Sequence, residues 1–137
     1  MLKYLRNLNS DKIPEIMHMP IADGSEAFKG TVVTVDEYGY LINQLSDYKA
    51  HYLVVEDKVA DDGKTFVKCI RLAPGMVFEA DILNDEHQFL GFGSCVSIAT
   101  DFNSAYGLAT LSEGSRLEVI DTNDYQKTNK LIVVLLK

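Results

Sequence analysis

The sequence predicts an all-β protein, built as two pseudo-repeated small antiparallel barrel or sandwich units with a short N-terminal arm. Three observations carry this. Short runs rich in Val, Ile, Thr, Tyr and Phe alternate with Gly, Pro, Asp and Asn turn signals at a spacing of about 8–12 residues. Met76–Ile82 alternates strictly, with Met76, Phe78, Ala80 and Ile82 on one face and Val77, Glu79 and Asp81 on the other. The chain also resembles itself: Gly30-Thr-Val-Val33-Thr-Val35 matches Gly93-Ser-Cys-Val96-Ser-Ile98 at an offset of 93 − 30 = 63 residues.

The expected domain plan is an arm over residues 1–15, a first β unit over 16–75 and a second over 76–137, packed as one domain. Met1, Leu2, Tyr4, Leu5 and Leu8 fit a short helical stripe that Asn9-Ser10-Asp11 and Pro14 terminate. A helix so short is marginal alone, so its apolar side is expected to dock on its own domain or on a neighbour. Removal of Met1–Asp11 is then expected to leave the fold intact.

Met17–Ala22 reads as a strand that Pro20 places at a sheet edge or ends. Gly30–Val35 and Tyr40–Asn43 form a hairpin around Tyr38-Gly39. His51–Glu56 and Lys64–Leu72 form another around Asp61-Asp62-Gly63, and Pro74-Gly75 separates it from Met76–Ile82. In the second half, Ser94–Ala99, Tyr106–Thr110, Arg116–Asp121 and the wholly apolar Leu131–Leu136 are strands. The halves correspond further through Tyr38-Gly39 and Tyr106-Gly107, through Val54-Val55-Glu56 and Val119-Ile120-Asp121, and through the lead-ins Met17–Ala22 and Val77–Ile82.

Composition narrows the function. The chain has 137 residues, 47% of them hydrophobic and 24% charged, the balance of a water-soluble domain that needs no disulfides. No apolar run approaches the roughly 20 residues that cross a bilayer, and no export signal is visible, so cytoplasmic synthesis and no membrane partner are expected. A net charge of −7 with 13 scattered Lys and Arg disfavours nucleic acid, which needs clustered cations. Cys69 and Cys95 lie in apolar runs without C-x-x-C spacing and read as two buried reduced thiols, a disulfide requiring adjacent strands.

The inventory of reactive groups is thin. His18, His51 and His87 lie far apart with no metal-ligand spacing, and His51 alternates with Leu53 and Val55 on a strand face. Asp57-K-V-A-Asp61-Asp62-Gly63 lacks the spacing and distant Glu of a calcium loop. Gly91-Phe-Gly93 precedes a strand instead of a helix and is no phosphate loop. Ser94, Ser97 and Ser104 have no adjacent base. Glu56-Asp57 and Glu79 with Asp81 are carboxylate pairs, the latter expected on a solvated face or against a partner's Lys or Arg. No catalytic residue, metal ligand or cofactor is assigned. Seven tyrosines accompany no tryptophan, and Tyr38, Tyr40 and Tyr106 at glycine turns suit core lids, interface anchors or a sugar shelf.

Gly30-x-x-Val33-x-Val35, Gly39-Tyr40-Leu41, His51–Asp57, Asp62-Gly63-Lys64 and Pro74–Ala80 resemble small β-rich proteins of tailed bacteriophages and prophages. Gly93-x-x-Val96-x-Ile98, Tyr106-Gly107-Leu108 and Leu117–Asp121 are similar to the same group, so the likeness covers about residues 28–137. It implies a non-enzymatic virion structural or capsid-decorating protein, made in a bacterial host and carried in the virion. A capsid or other virion protein would be its partner, with self-association into a homo-oligomer. The candidate interface is Leu2, Tyr4, Leu5, Leu8, Tyr38, Tyr40 and Tyr106. The alternatives are a small ligand- or glycan-binding β module and a hydrolase with a site assembled from distant carboxylates.

Overall fold

The computed structural model describes residues 2–8, 11–22, 25–42, 50–59, 65–82, 93, 95–98, 107–111, 117–121 and 130–136. Thirteen strands and no helix occur among them. β1 (Leu2–Asn7) opens the chain. Then come β2 (Ile16–Pro20), β3 (Glu26–Ala27), β4 (Val32–Val35), β5 (Leu41–Ile42), β6 (Tyr52–Val54), β7 (Lys58–Val59) and β8 (Phe66–Arg71). β9 (Met76–Ile82), β10 (Cys95–Ile98), β11 (Gly107–Leu111), β12 (Leu117–Asp121) and β13 (Lys130–Leu135) complete it. The chain divides into two compact units, Pro14–Leu72 and Met1–Ile13 with Ala73–Lys137. The N-terminal residues therefore belong with the C-terminal half.

The unit Pro14–Leu72 holds a five-stranded antiparallel sheet in the order β2-β8-β6-β4-β5, and a separate two-residue pairing of β3 with β7. Alternation sorts its side chains as the pleat requires: Val67 and Cys69 of β8 are buried while Phe66 and Lys68 are exposed. Val67 and Cys69 join Ile21, Ala27, Val33, Leu41, Tyr52 and Val54 in the core, with Met17 and Met19 of β2 packed against it. Among the described residues no pairing joins β2 to β5, so this sheet is open and not a closed barrel. Pro20 supplies a reason. The Ile21 N–H donates to the Thr65 carbonyl at 3.1 Å, so by alternation position 20 faces the outer edge, where proline has no N–H to give.

The other unit holds a six-stranded sheet in the order β1-β9-β11-β10-β12-β13, in which β9 also pairs with β13. β9 takes β1 antiparallel along Met76–Ala80 and β13 antiparallel along Val77–Asp81. Its end, Asp81–Ile82, runs parallel to Gly107–Leu108 of β11. Leu2, Val77, Phe78, Ala80, Leu117, Val119, Leu131 and Val133 are all buried here. Val77 lies on the face of β9 opposite Phe78, so the alternation of Met76–Ile82 marks a strand covered on both faces over this stretch. Although β9 follows β8 after a short turn, it pairs with β1, β11 and β13 instead.

That turn is held from three sides. Gly75 has φ +90, a left-handed conformation that disfavours any side chain. Its N–H donates to the Leu135 carbonyl at 2.8 Å, and its carbonyl accepts from Leu8 N–H at 2.7 Å.

The helical expectation for the first residues is overturned: Leu2–Asn7 is a strand. Its register runs Leu2↔Ala80, Lys3↔Glu79, Tyr4↔Phe78 and then Arg6↔Val77, so Leu5 is a bulge with no partner on β9. The extra residue breaks the period of two, which is why apolar residues at 2, 4, 5 and 8 imitate a helical stripe. The Tyr-Gly correspondence also separates. Gly39 sits in a turn at φ +86, whereas Gly107 lies within β11.

Phe78 is fully buried, and its ring meets Tyr4 edge-on at 6.1 Å between centroids and 70° between planes. Phe78→Ala is expected to lower stability by about 3–5 kcal/mol. The urea-unfolding midpoint of the purified chain, followed by circular dichroism, measures it.

Candidate protein-docking site

Two strands meet the surface in a way that packing alone does not demand, and the first is β1. Leu2 is buried and Tyr4 half-buried on Phe78, so these two anchor the strand within its own unit. Leu5 and Leu8 do not: they are 41% and 44% exposed. The bulge is the cause at Leu5, since a residue without a cross-strand partner is turned off the pleat.

After Asn7 the chain folds back along the strand. The Tyr4 hydroxyl donates to Asn7 Oδ1 at 3.2 Å, and Asn7 Nδ2 donates to the Lys12 carbonyl at 2.7 Å. This clamp sets Asp11–Ile13 opposite Tyr4–Leu8 and leaves a groove of about 510 Å³ between them. Its apolar lining is Leu5, Leu8 and Ile13, the last 86% exposed, and Arg6, Asp11 and Lys12 add charge of both signs. Arg6, Asn7, Asp11, Lys12 and Ile13 were not among the residues singled out by sequence. The usable signal is the turn chemistry of Asn9-Ser10-Asp11 before Pro14, which predicts a chain reversal, although Asn9 and Ser10 themselves lie outside the described residues.

The turn tyrosines of the other unit are placed by Asp36. Asp36 Oδ1 accepts the N–H groups of both Tyr38 and Tyr40 at 2.9 Å, and the Asp36 N–H donates to the Tyr40 carbonyl at 2.8 Å. Tyr38 is held 77% exposed and Tyr40 half-buried. Tyr106 lies outside the described residues. The structure thus gathers Tyr4, Leu5 and Leu8 at one groove and Tyr38 and Tyr40 at one turn.

The carboxylates considered for acid–base work serve the backbone. Glu56 Oε1 accepts the Lys68 N–H at 2.9 Å, and Asp57 Oδ1 accepts the Lys29 N–H at 2.8 Å. Glu79 stands opposite Lys3 of the chain's own β1. The Asp61-Asp62-Gly63 turn, Ser94, Ser104 and His87 lie outside the described residues. Among the described residues no three His, Cys, Asp or Glu side chains gather as metal ligands, and no helix is long and apolar enough to cross a membrane. Comparison with protein-family models, with curated proteins and with solved structures gave no match.

Cys69 is a free, buried thiol. Desolvation first, and then the nearby Glu56 charge, push it up from 9.0 to about 12. Below pH 9.0 the folded and unfolded chains both keep this proton, and it contributes no pH dependence. Between 9.0 and about 12 only the unfolded chain releases it, so stability falls as pH rises through that window. The difference in urea midpoint between the native chain and Cys69→Ala is expected to shrink or grow only above pH 9.0, with Cys69→Ala showing the shallower decline.

Proposed function

We propose that this chain is a non-enzymatic virion structural protein of a tailed phage or prophage, a capsid-accessory subunit of the head-decoration type that acts through protein–protein contacts. The bulged N-terminal strand carries the reading. It turns Leu5 outward beside Leu8 and Ile13 and borders them with Arg6, Asp11 and Lys12. An apolar patch with a mixed-charge rim is the pattern of a surface that buries against another protein. The resemblance of residues 28–137 to phage head-associated proteins suggests the kind of partner, a capsid lattice in the virion.

The duplicated plan belongs to the same proposal, and the strand registers support it. Stepwise along each unit, Met17↔Cys69 corresponds to Phe78↔Val133, Leu53↔Ile70 to Glu118↔Val134, and Val33↔Tyr52 to Val96↔Leu117. Val35↔Leu41 corresponds in turn to Ile98↔Leu108. Gly30 and Gly93 each have positive φ and each donate an N–H, at 2.8 Å, to Val54 and Val119 respectively. In the C-terminal copy the succession β9, β11, β10, β12, β13 returns to β9, which favours a barrel for that copy. In the other copy Pro20 stands where Asp81 pairs with Gly107, and the matching rung is not made.

The glycan- or ligand-binding alternative draws on the turn tyrosines, Tyr38 and Tyr40, beside Asp36. Thermal unfolding with a panel of glycans and divalent cations separates it, because a ligand of the native state raises Tm.

Deleting Met1–Asp11 is not a neutral test, since it strips β1 from β9 and uncovers Phe78. Leu5→Lys with Leu8→Lys changes two exposed positions, and each is expected to alter stability by only about 0.5 kcal/mol. The native chain is expected to co-sediment with assembled phage capsids and the double variant to stay in the supernatant. A native chain that stays in the supernatant across salt and pH overturns the reading.

A further inference from the structure

The second surface-facing strand is β2, and its outer edge is bare among the described residues. The ladder to β8 is unbroken from Ile16↔Ile70 to Pro20↔Phe66, and the Ile21 N–H donates to the Thr65 carbonyl opposite it. Alternation then turns the main-chain groups of Met17 and Met19 toward β8 and those of Ile16 and His18 away from it. The corresponding edge in the other unit is occupied: β9, whose Phe78↔Val133 register matches Met17↔Cys69, carries β1 there.

Proteins blunt exposed edges with short strands, bulges, Lys or Arg, proline, or a covering segment, and β2 has only Pro20 at its end. The remaining described edges show such devices. β5, β3 and β7 are two residues long, and β1 has a bulge at Leu5 flanked by Lys3 and Arg6. β2 has five residues, no bulge and no Lys, Arg, Asp or Glu. Ile16 is 47% exposed, and Phe66, opposite Pro20 on the same face, is 51% exposed. Pro20 ends the strand without guarding its middle.

We propose that β2 is a self-association edge, pairing antiparallel with β2 of a second copy about a two-fold axis. Each copy contributes the outward N–H and C=O groups of Ile16 and His18, which joins two open sheets into one and places the partner strand beside Ile16. The occupant is a second copy because a bare edge carried by every molecule is complementary to itself under two-fold symmetry. The strand of this chain that covers the corresponding edge, β1, is already engaged on β9. This goes beyond the capsid reading and uses none of its groove residues, so either can fail without the other.

Sedimentation velocity of the full chain over a concentration series tests it. The weight-average mass is expected to rise from 15.3 kDa toward twice that value. The amides of Ile16 and His18 are expected to exchange with deuterium more slowly as it does. His18→Pro removes an outward N–H and leaves the ladder to β8 intact, while Ile16→Lys installs the missing guard; each is expected to weaken association roughly tenfold or more. A chain that stays monomeric throughout, or self-association that both folded variants retain, overturns the proposal. Should either variant misfold, the exchange of Ile16 and His18 in the native chain decides, and unchanged exchange on association also overturns it.

Discussion

Everything in the C-terminal unit depends on β9 having both of its edges satisfied at once. A strand buried on both faces cannot leave N–H or C=O groups unpaired without a large desolvation cost. β9 meets this demand with three partners, β13 along one side and β1 followed by β11 along the other. The arrangement explains why residues 1–13 belong to this unit although some sixty residues intervene: without β1, Met76–Ala80 would present a bare edge beside Phe78. The Gly75 turn reinforces the junction by bonding to both Leu8 and Leu135.

The same constraint is resolved differently in the unit Pro14–Leu72. Among the described residues its outer strand β2 has no covering segment, and Met17 and Met19 pack against the core that holds Val67 and Cys69. Carboxylates stand in for some missing ladder partners. Glu56 and Asp57 accept the backbone N–H groups of Lys68 and Lys29, and Asp36 accepts two in the β4–β5 turn. Three of the 20 acidic side chains, Asp36, Glu56 and Asp57, therefore satisfy main-chain donors. Among the described residues, an apolar side chain released by a bulge and the outer edge of β2 face outward.

The strands were legible wherever alternation and turn chemistry agreed. Met76–Ile82 is a strand over those very residues, and Pro20 marks the end and edge of β2 as its missing N–H implies. Whether each unit is a barrel or a sandwich was not legible, because the sequence shows that strands form but not whether the last returns to the first. The groove was half legible: Leu5 and Leu8 stood out as apolar residues, but the bulge that exposes them is a property of pairing with β9. Sequence spacing took those residues for one helical face because a one-residue insertion in a strand and a helical turn both shift the apolar phase.

By itself the sequence determined the all-β class, the turns at Tyr38-Gly39 and Pro74-Gly75, and that the last strand is apolar on both faces, while the solvated face expected for Glu79 is shared with the buried Val77. These depend on local backbone preference and on the pleat period, both encoded residue by residue. Tertiary structure alone decided that Leu2–Asn7 is a strand of the C-terminal unit, that Leu5 is a bulge in it, and that β2 pairs on one edge only among the described residues. Those outcomes depend on which main-chain groups meet across long stretches of chain, and hydrogen-bond partnership leaves no periodic mark on either partner's sequence.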